Sequence, residues 1–261
     1  MTNPPTLNGN SLSKNIEPYI QRVHQAAQGY VAALSFVVQD AGRDPKFAST
    51  NLLAYLADDL LQSAVAIPTL ASEGMWNVGR RELRFLLEAS VKLAFIEQEQ
   101  SKQLIVEKLL THSDLLRASS ISCKNKISLG LLPKTQCDQF SDEVGRLYGV
   151  ASEYVHLTGR QIEARIRSVE AGFTPGFENE NEAREASELV SQTFAVALVY
   201  LFHAAPAFVA GDFFVDSDGN SPDWLFSQSK YVAAIDSQFD YKHERHRLDA
   251  LIAKRAERIN F

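Results

Sequence analysis

Residues 80–92 hold a dense group of charges: Arg80, Arg81, Arg84, Glu88 and Lys92. Arg84, Glu88 and Lys92 fall at i, i+4 and i+8, which puts them along one side of a helix in an order that favours salt bridges. The residues around them are strongly apolar, so the stripe is expected to lie partly inside the protein, where every charge needs a partner. Two chemistries are open to it. A paired ladder would fix how helices pack, whereas Arg81 or Arg84 facing a cleft would bind a phosphate or carboxylate through the planar guanidinium fork.

A second group lies in YGVASEYVHLTGR, where Tyr148, Ser152 and His156 stand four residues apart on one helix face, with Glu153, Tyr154 and Arg160 beside them. That spacing permits a hydrogen-bonded polar row. His156 titrates near neutrality and is the candidate general acid or base, with Arg84 and Arg81 as the cations that would stabilise developing charge. The alternative is a histidine that caps its helix C-terminus, where the dipole favours a cation. A third group is basic: Lys242, Arg245, Arg247, Lys254 and Arg255, on a helix with an apolar row of Leu248, Leu251, Ile252 and Ile259. Such a helix either neutralises nucleic-acid phosphates without reading sequence, or docks its apolar side on the bundle or on a second copy.

Other patterns fall short of a site. His243 and His246 lack a third metal ligand. The DSDGN stretch at 216–220 places its glycine fourth rather than sixth and a serine twelfth, so it reads as a turn and not as a calcium loop. Phosphate loops, dinucleotide turns, serine elbows and HExxH helices are absent from the sequence. No metal and no cofactor is therefore expected. Cys123 and Cys137, with thirteen residues between them, fit neither a disulfide framework nor a CxxC site.

The elements that must position these groups are helices. Apolar residues recur every three to four positions along most of the chain, and β-type alternation is scarce. The expected fold is an all-α bundle of about seven or eight helices. The first runs from near Ser13 to Gly42, and the second from Ser49 into a bend or stop at Pro68. The third, Met75 to Gln98, is apolar nearly all round and belongs inside the bundle. A fourth starts at a Ser101 cap and runs toward SSISCKNK; others cover 134–156, 159–168, 182–205 and 241–259. The reading divides the chain into a flexible segment 1–13, a main bundle 14–211, and an irregular segment with a charged terminal helix, 212–261. The uncharged run Leu189 to Gly211 is long enough to span a membrane, but Gln192, His203, Pro206 and acidic flanks without anchoring Lys or Arg make it a core helix. Residues 1–13 show no secretory signal, and the expected location is the cytoplasm.

The segment GRRELRFLLEASVKLAFI, followed by ASEYVH at 151–156, resembles bacterial helical families that pair an "Arg, then Leu-Glu" helix with a "Ser-x-x-x-His" helix. It is also loosely similar to the HEPN helical-bundle superfamily. That resemblance covers residues 75–160 and implies RNA cleavage, or an accessory role in bacterial conflict and defence systems. HEPN ribonucleases place an Arg four to six residues before a His; here Arg146 precedes His156 with nine residues between.

The net charge of −6 argues against a protein that coats nucleic acid through a global basic field. Hydrophobic residues at 45% supply a core large enough for one big domain. The leading expectation is a bundle that works by association with itself or a protein partner, with Trp76, Trp224 and the Phe213/Phe214 pair as exposed anchors. The alternatives are a HEPN-like ribonuclease using His156 and a bundle that binds a small ligand through the same arginines.

Overall fold

The computed structural model describes residues 15–155, 159–170, 180–214, 224–240 and 245–261, and all regular structure among them is helical. The helix α1 (Glu17–Ala41) carries Pro18 in its first turn, where the missing N–H is harmless, and turns Val23, Tyr30, Leu34 and Val37 inward. A single turn, α2 (Phe47–Thr50), leads into α3 (Leu53–Ser72). Pro68 does not end α3: the helix runs on to Ser72, with Pro68 buried. Its stop lies at Gly74, whose φ of 69° is the left-handed conformation that glycine adopts without cost. Met75 N–H then donates to the Leu70 carbonyl (2.7 Å) and Gly74 N–H to Ala71 (3.1 Å), satisfying the last orphaned acceptors of α3.

The reversal at Gly74 launches α4 (Trp76–Glu99), the helix that is apolar nearly all round, which packs on α3 on one side and on α9 (Glu180–Ala204) on the other. The ring is closed by α1, which also contacts both α3 and α9. These four helices form the core. Tyr30 stacks on Phe194 within it, with ring centroids 4.8 Å apart. Because α9 is surrounded, its uncharged run is a core feature; no helix among the described residues is long and apolar enough to cross a membrane.

Between α4 and α9 in sequence come α5 (Ile105–Thr111), α6 (Ser113–Arg117), a 3-10 turn (Ser122–Lys126), α7 (Lys134–Ser152) and α8 (Gly159–Glu170). The chain ends through α10 (Ala207–Phe214), a 3-10 turn (Leu225–Gln228), α11 (Lys230–Ser237) and α12 (Arg245–Arg258). With twelve α-helices among the described residues, the count exceeds the seven or eight expected. The single fourth helix of the sequence reading is in fact two, broken at His112, whose ring turns inward edge-on to Phe95 (5.9 Å). Ser101 caps nothing; the start of α5 is held instead by the Glu107 carboxylate, which accepts the Leu104 N–H at 3.2 Å.

Of the aromatic residues expected as exposed anchors, Trp76 and Phe214 are in the core, while Phe213 and Trp224 are half-buried against it. Phe213 stands within 5.2 Å of the Phe36, Phe202 and Trp224 rings. The mutual attraction of aromatic rings and the apolar area they hide draw this cluster inward. The C-terminus folds back: Phe261 carbonyl accepts Lys230 N–H (2.8 Å), and Asn260 N–H donates to Gln228 (2.9 Å).

Candidate functional site

The ladder predicted on α4 faces α7 and the strand of chain after α6. Lys92 Nζ donates to Glu88 (2.6 Å) and to the Leu116 and Ala118 carbonyls; Arg84 donates to the Tyr148 hydroxyl (3.0 Å) and the Ser119 carbonyl (3.4 Å). Tyr148 Oη also lies 3.3 Å from Glu88, and Arg84 stands 3.8 Å from the same carboxylate. Arg84 and Lys92 are buried, with Arg84 only 9% exposed. Two cations thus share one carboxylate, and main-chain carbonyls supply the rest of the negative partial charge. What the row does is bind α7 and the segment 116–119 to α4 by charge-assisted hydrogen bonds. Arg84, Glu88, Lys92 and Tyr148 are brought together as one network; Arg84 does not line an open groove.

Arg81 belongs to a second group, one turn nearer the start of α4. Its Nε donates to the Tyr154 carbonyl (2.8 Å), while the Arg80 guanidinium lies 4.1 Å above the Tyr154 ring and donates to Asn77 (3.2 Å). This cation–π and hydrogen-bond pair fastens the turn after α7 to the start of α4. The buried Ser152 hydroxyl has no hydrogen-bond partner among the described residues. His156 lies outside the described residues.

Across from Arg81 runs α8. Its Ile162, Ile166 and Val169 fall at i, i+4 and i+7 on one face, and with Asn77, Arg81 and Arg165 they line a groove of about 570 Å³. The stripe is about half exposed, and among the described residues α8 has only sparse contacts with the other helices. The groove is therefore apolar along its wall, and its charged lining is Arg81 and Arg165 together with Glu170.

Of the terminal basic group, Arg255 is engaged within the chain. It is held bidentately by Asp240 (2.7 and 2.9 Å) and by Asp236 (3.1 Å), tying α12 to α11. Lys254 is exposed. Lys242 and the side chains of Arg245 and Arg247 lie outside the described residues, as do His243 and the DSDGN turn.

At the far end of α4 the structure assembles a site that sequence reasoning missed. Glu97 is buried (4% exposed), receiving Leu52 N–H on one oxygen (2.9 Å) and the fully buried Lys108 Nζ on the other (2.6 Å). Lys108 also donates to the Thr50 carbonyl. Burial pushes the Glu97 carboxyl above its usual range, against the lowering pull of Lys108 and Leu52. Asn51 bridges Leu53 N–H and the Ala204 carbonyl (2.9 and 3.0 Å), and His203 accepts Leu131 N–H (3.1 Å) while its other nitrogen donates to Val199 (2.7 Å). Burial holds His203 below its ordinary value, keeping it neutral. These groups border a cleft of about 700 Å³ where α4 and α9 end. The available signal was a carboxylate alone in VKLAFIE; nothing in the sequence paired it with Lys108, eleven residues on.

Among the described residues, no three His, Cys, Asp or Glu side chains cluster to hold a metal ion. Comparison with protein-family models, curated proteins and solved structures finds no match to this chain.

Proposed function

We propose that this chain acts by self-association, an apolar ridge on α5 of one copy seating in the α4–α8 groove of the next. The observation that carries it is a pair of apolar helix stripes left in water. On α5, Val106, Leu109 and Leu110 stand at i, i+3 and i+4, with Val106 68% and Leu110 74% exposed. On α8, Ile162, Ile166 and Val169 form the facing stripe of the groove. Fully burying an exposed side chain of this size is worth about 1.5–3 kcal/mol, and these, half exposed or more, stand to gain a part of that each, so both stripes favour a partner. Glu107 on the ridge can pair with Arg81 or Arg165 of the groove, whose lining also holds Glu170. An amphipathic helix laid in an apolar groove is a recurrent mode of recognition. Light scattering after gel filtration is expected to give a mass that rises with concentration for the native chain and stays at one chain for Ile166→Glu. A native chain that remains monomeric throughout rejects the proposal.

A second reading rests on Arg81 and Tyr154. Their hydrogen bond holds the chain two residues before His156 against a cationic helix end, an arrangement suited to general acid–base chemistry on RNA. RNA degradation by the native chain that persists unchanged in His156→Ala disposes of it.

A further inference from the structure

The cleft at the end of the bundle has the chemistry of a cation site. Its walls include Asp44, Glu97, Phe47, Phe202 and Leu131, and none of the residues that line it is a Lys or Arg. The nearest buried cation, Lys108, is spent on Glu97 and the Thr50 carbonyl. Asn51, Gln98 and His203 are likewise committed: Gln98 exchanges two hydrogen bonds with the Ser128 backbone (2.8 and 2.9 Å), and His203 is bonded through both ring nitrogens. What is left facing the space is the Asp44 carboxylate, the Ser101 hydroxyl and main-chain oxygen.

Two helices, α4 and α9, end here, and helix C-termini carry a partial negative charge. At α9 the effect is sharpened by sequence. Pro206 has no N–H, so the Phe202 carbonyl lacks the donor that would sit four residues on. A ligand that fits must therefore bring N–H donors and positive charge, with an aliphatic body to lie along Phe47, Leu131 and the Ala204–Ala207 wall. A divalent metal is the wrong shape of cation, because the cleft offers carbonyls and the Asp44 carboxylate, which already accepts the Lys46 N–H on one oxygen, rather than a converging set of three ligands.

We infer that this cleft binds a small aliphatic amine or polyamine, its ammonium group held by Asp44 and the carbonyl end of α9. The test uses the full chain and spermidine, followed by calorimetry and by backbone amide shifts. Saturable binding is expected, with the largest shifts at Asn51, Gln98, Leu131 and Ala205. Asp44→Asn keeps the acceptor for Lys46 N–H (2.9 Å) and so keeps the fold, but should weaken spermidine about fivefold, the size of one partly exposed charge pair. A neutral diol of the same length should not bind, and magnesium at equal charge should not displace spermidine. Absence of saturable binding, unchanged affinity in Asp44→Asn, displacement by magnesium, or shifts scattered over the acidic start of α9 would each overturn the inference.

Discussion

Replacing Lys108 by Met isolates the buried ion pair that closes the end of the bundle. Lys108 is wholly buried and Glu97 nearly so, and the 2.6 Å bond between them joins α5 to α4. Met fills the aliphatic stem of the lysine, so little packing is lost. What is lost is the cation: the Glu97 carboxylate keeps only the Leu52 N–H, and the Thr50 carbonyl loses its donor. Stripping one partner from a buried pair costs about 3–5 kcal/mol, a large share of the roughly 5–15 kcal/mol that separates folded from unfolded chains. Urea denaturation should show a lower midpoint at unchanged slope. The deficit should also depend on pH in one direction. Burial already raises the Glu97 pKa in the folded state, and removing Lys108 raises it further. A carboxyl raised on folding contributes stability in full below its unfolded value, about 4.3, and that contribution is lost as pH rises through the folded value. The Lys108→Met deficit should therefore shrink as the pH is lowered from 8 to 5, because Glu97 takes up a proton. The double variant Glu97→Leu/Lys108→Met should recover most of the loss. A single-variant deficit under about 1 kcal/mol, or one that grows toward acid, would refute this account of the pair.

Three further outcomes follow from the geometry. Gly74→Ala puts a Cβ at φ 69° and should cost about 1 kcal/mol in urea denaturation, whereas Gly149→Ala, inside α7 with open space around it, should be neutral or stabilising. Tyr148→Phe removes a hydroxyl that accepts from Arg84 and touches the Ser119 carbonyl, and should cost about 1–2 kcal/mol; an unchanged midpoint would mean that the α4–α7 network contributes nothing net. His203 has a folded pKa below its unfolded value, so the stability it gives is present above about 6.5 and falls as the solution is acidified. His203→Gln should flatten that acid limb in thermal melts, and an identical limb would remove His203 as its source.

The helical period was legible wherever apolar faces were long. α1, α4 and α9 sit close to where their spacing and their Gly, Pro and acidic flanks place them. The ladder Arg84–Glu88–Lys92 was legible too, since i, i+4 spacing is local information, and Tyr148 joins it as a member of the other polar row. Pairing between helices was not. Neither the contact of Lys108 with Glu97 nor the capture of Arg255 by Asp236 and Asp240 leaves any trace in spacing, because each depends on how one helix turns back on the one before it. Helix breaks were also missed: α5 and α6 read as one segment because the interruption at His112 comes from its ring turning inward, not from a Gly or Pro. Pro68 erred the other way, as tertiary packing of α3 against α1 and α4 overrides the lost hydrogen bond.

The most direct measurement is a mixing experiment on two charge variants, one in the ridge and one in the groove. Leu110→Glu spoils the α5 ridge and leaves the α4–α8 groove intact; Ile166→Glu does the reverse. If ridge meets groove between copies, each variant alone should run as a single chain in light scattering. An equimolar mixture should form a dimer and stop there, because only one competent junction is left between the two. A mixture that stays monomeric while the native chain assembles would contradict the pairing of these two surfaces.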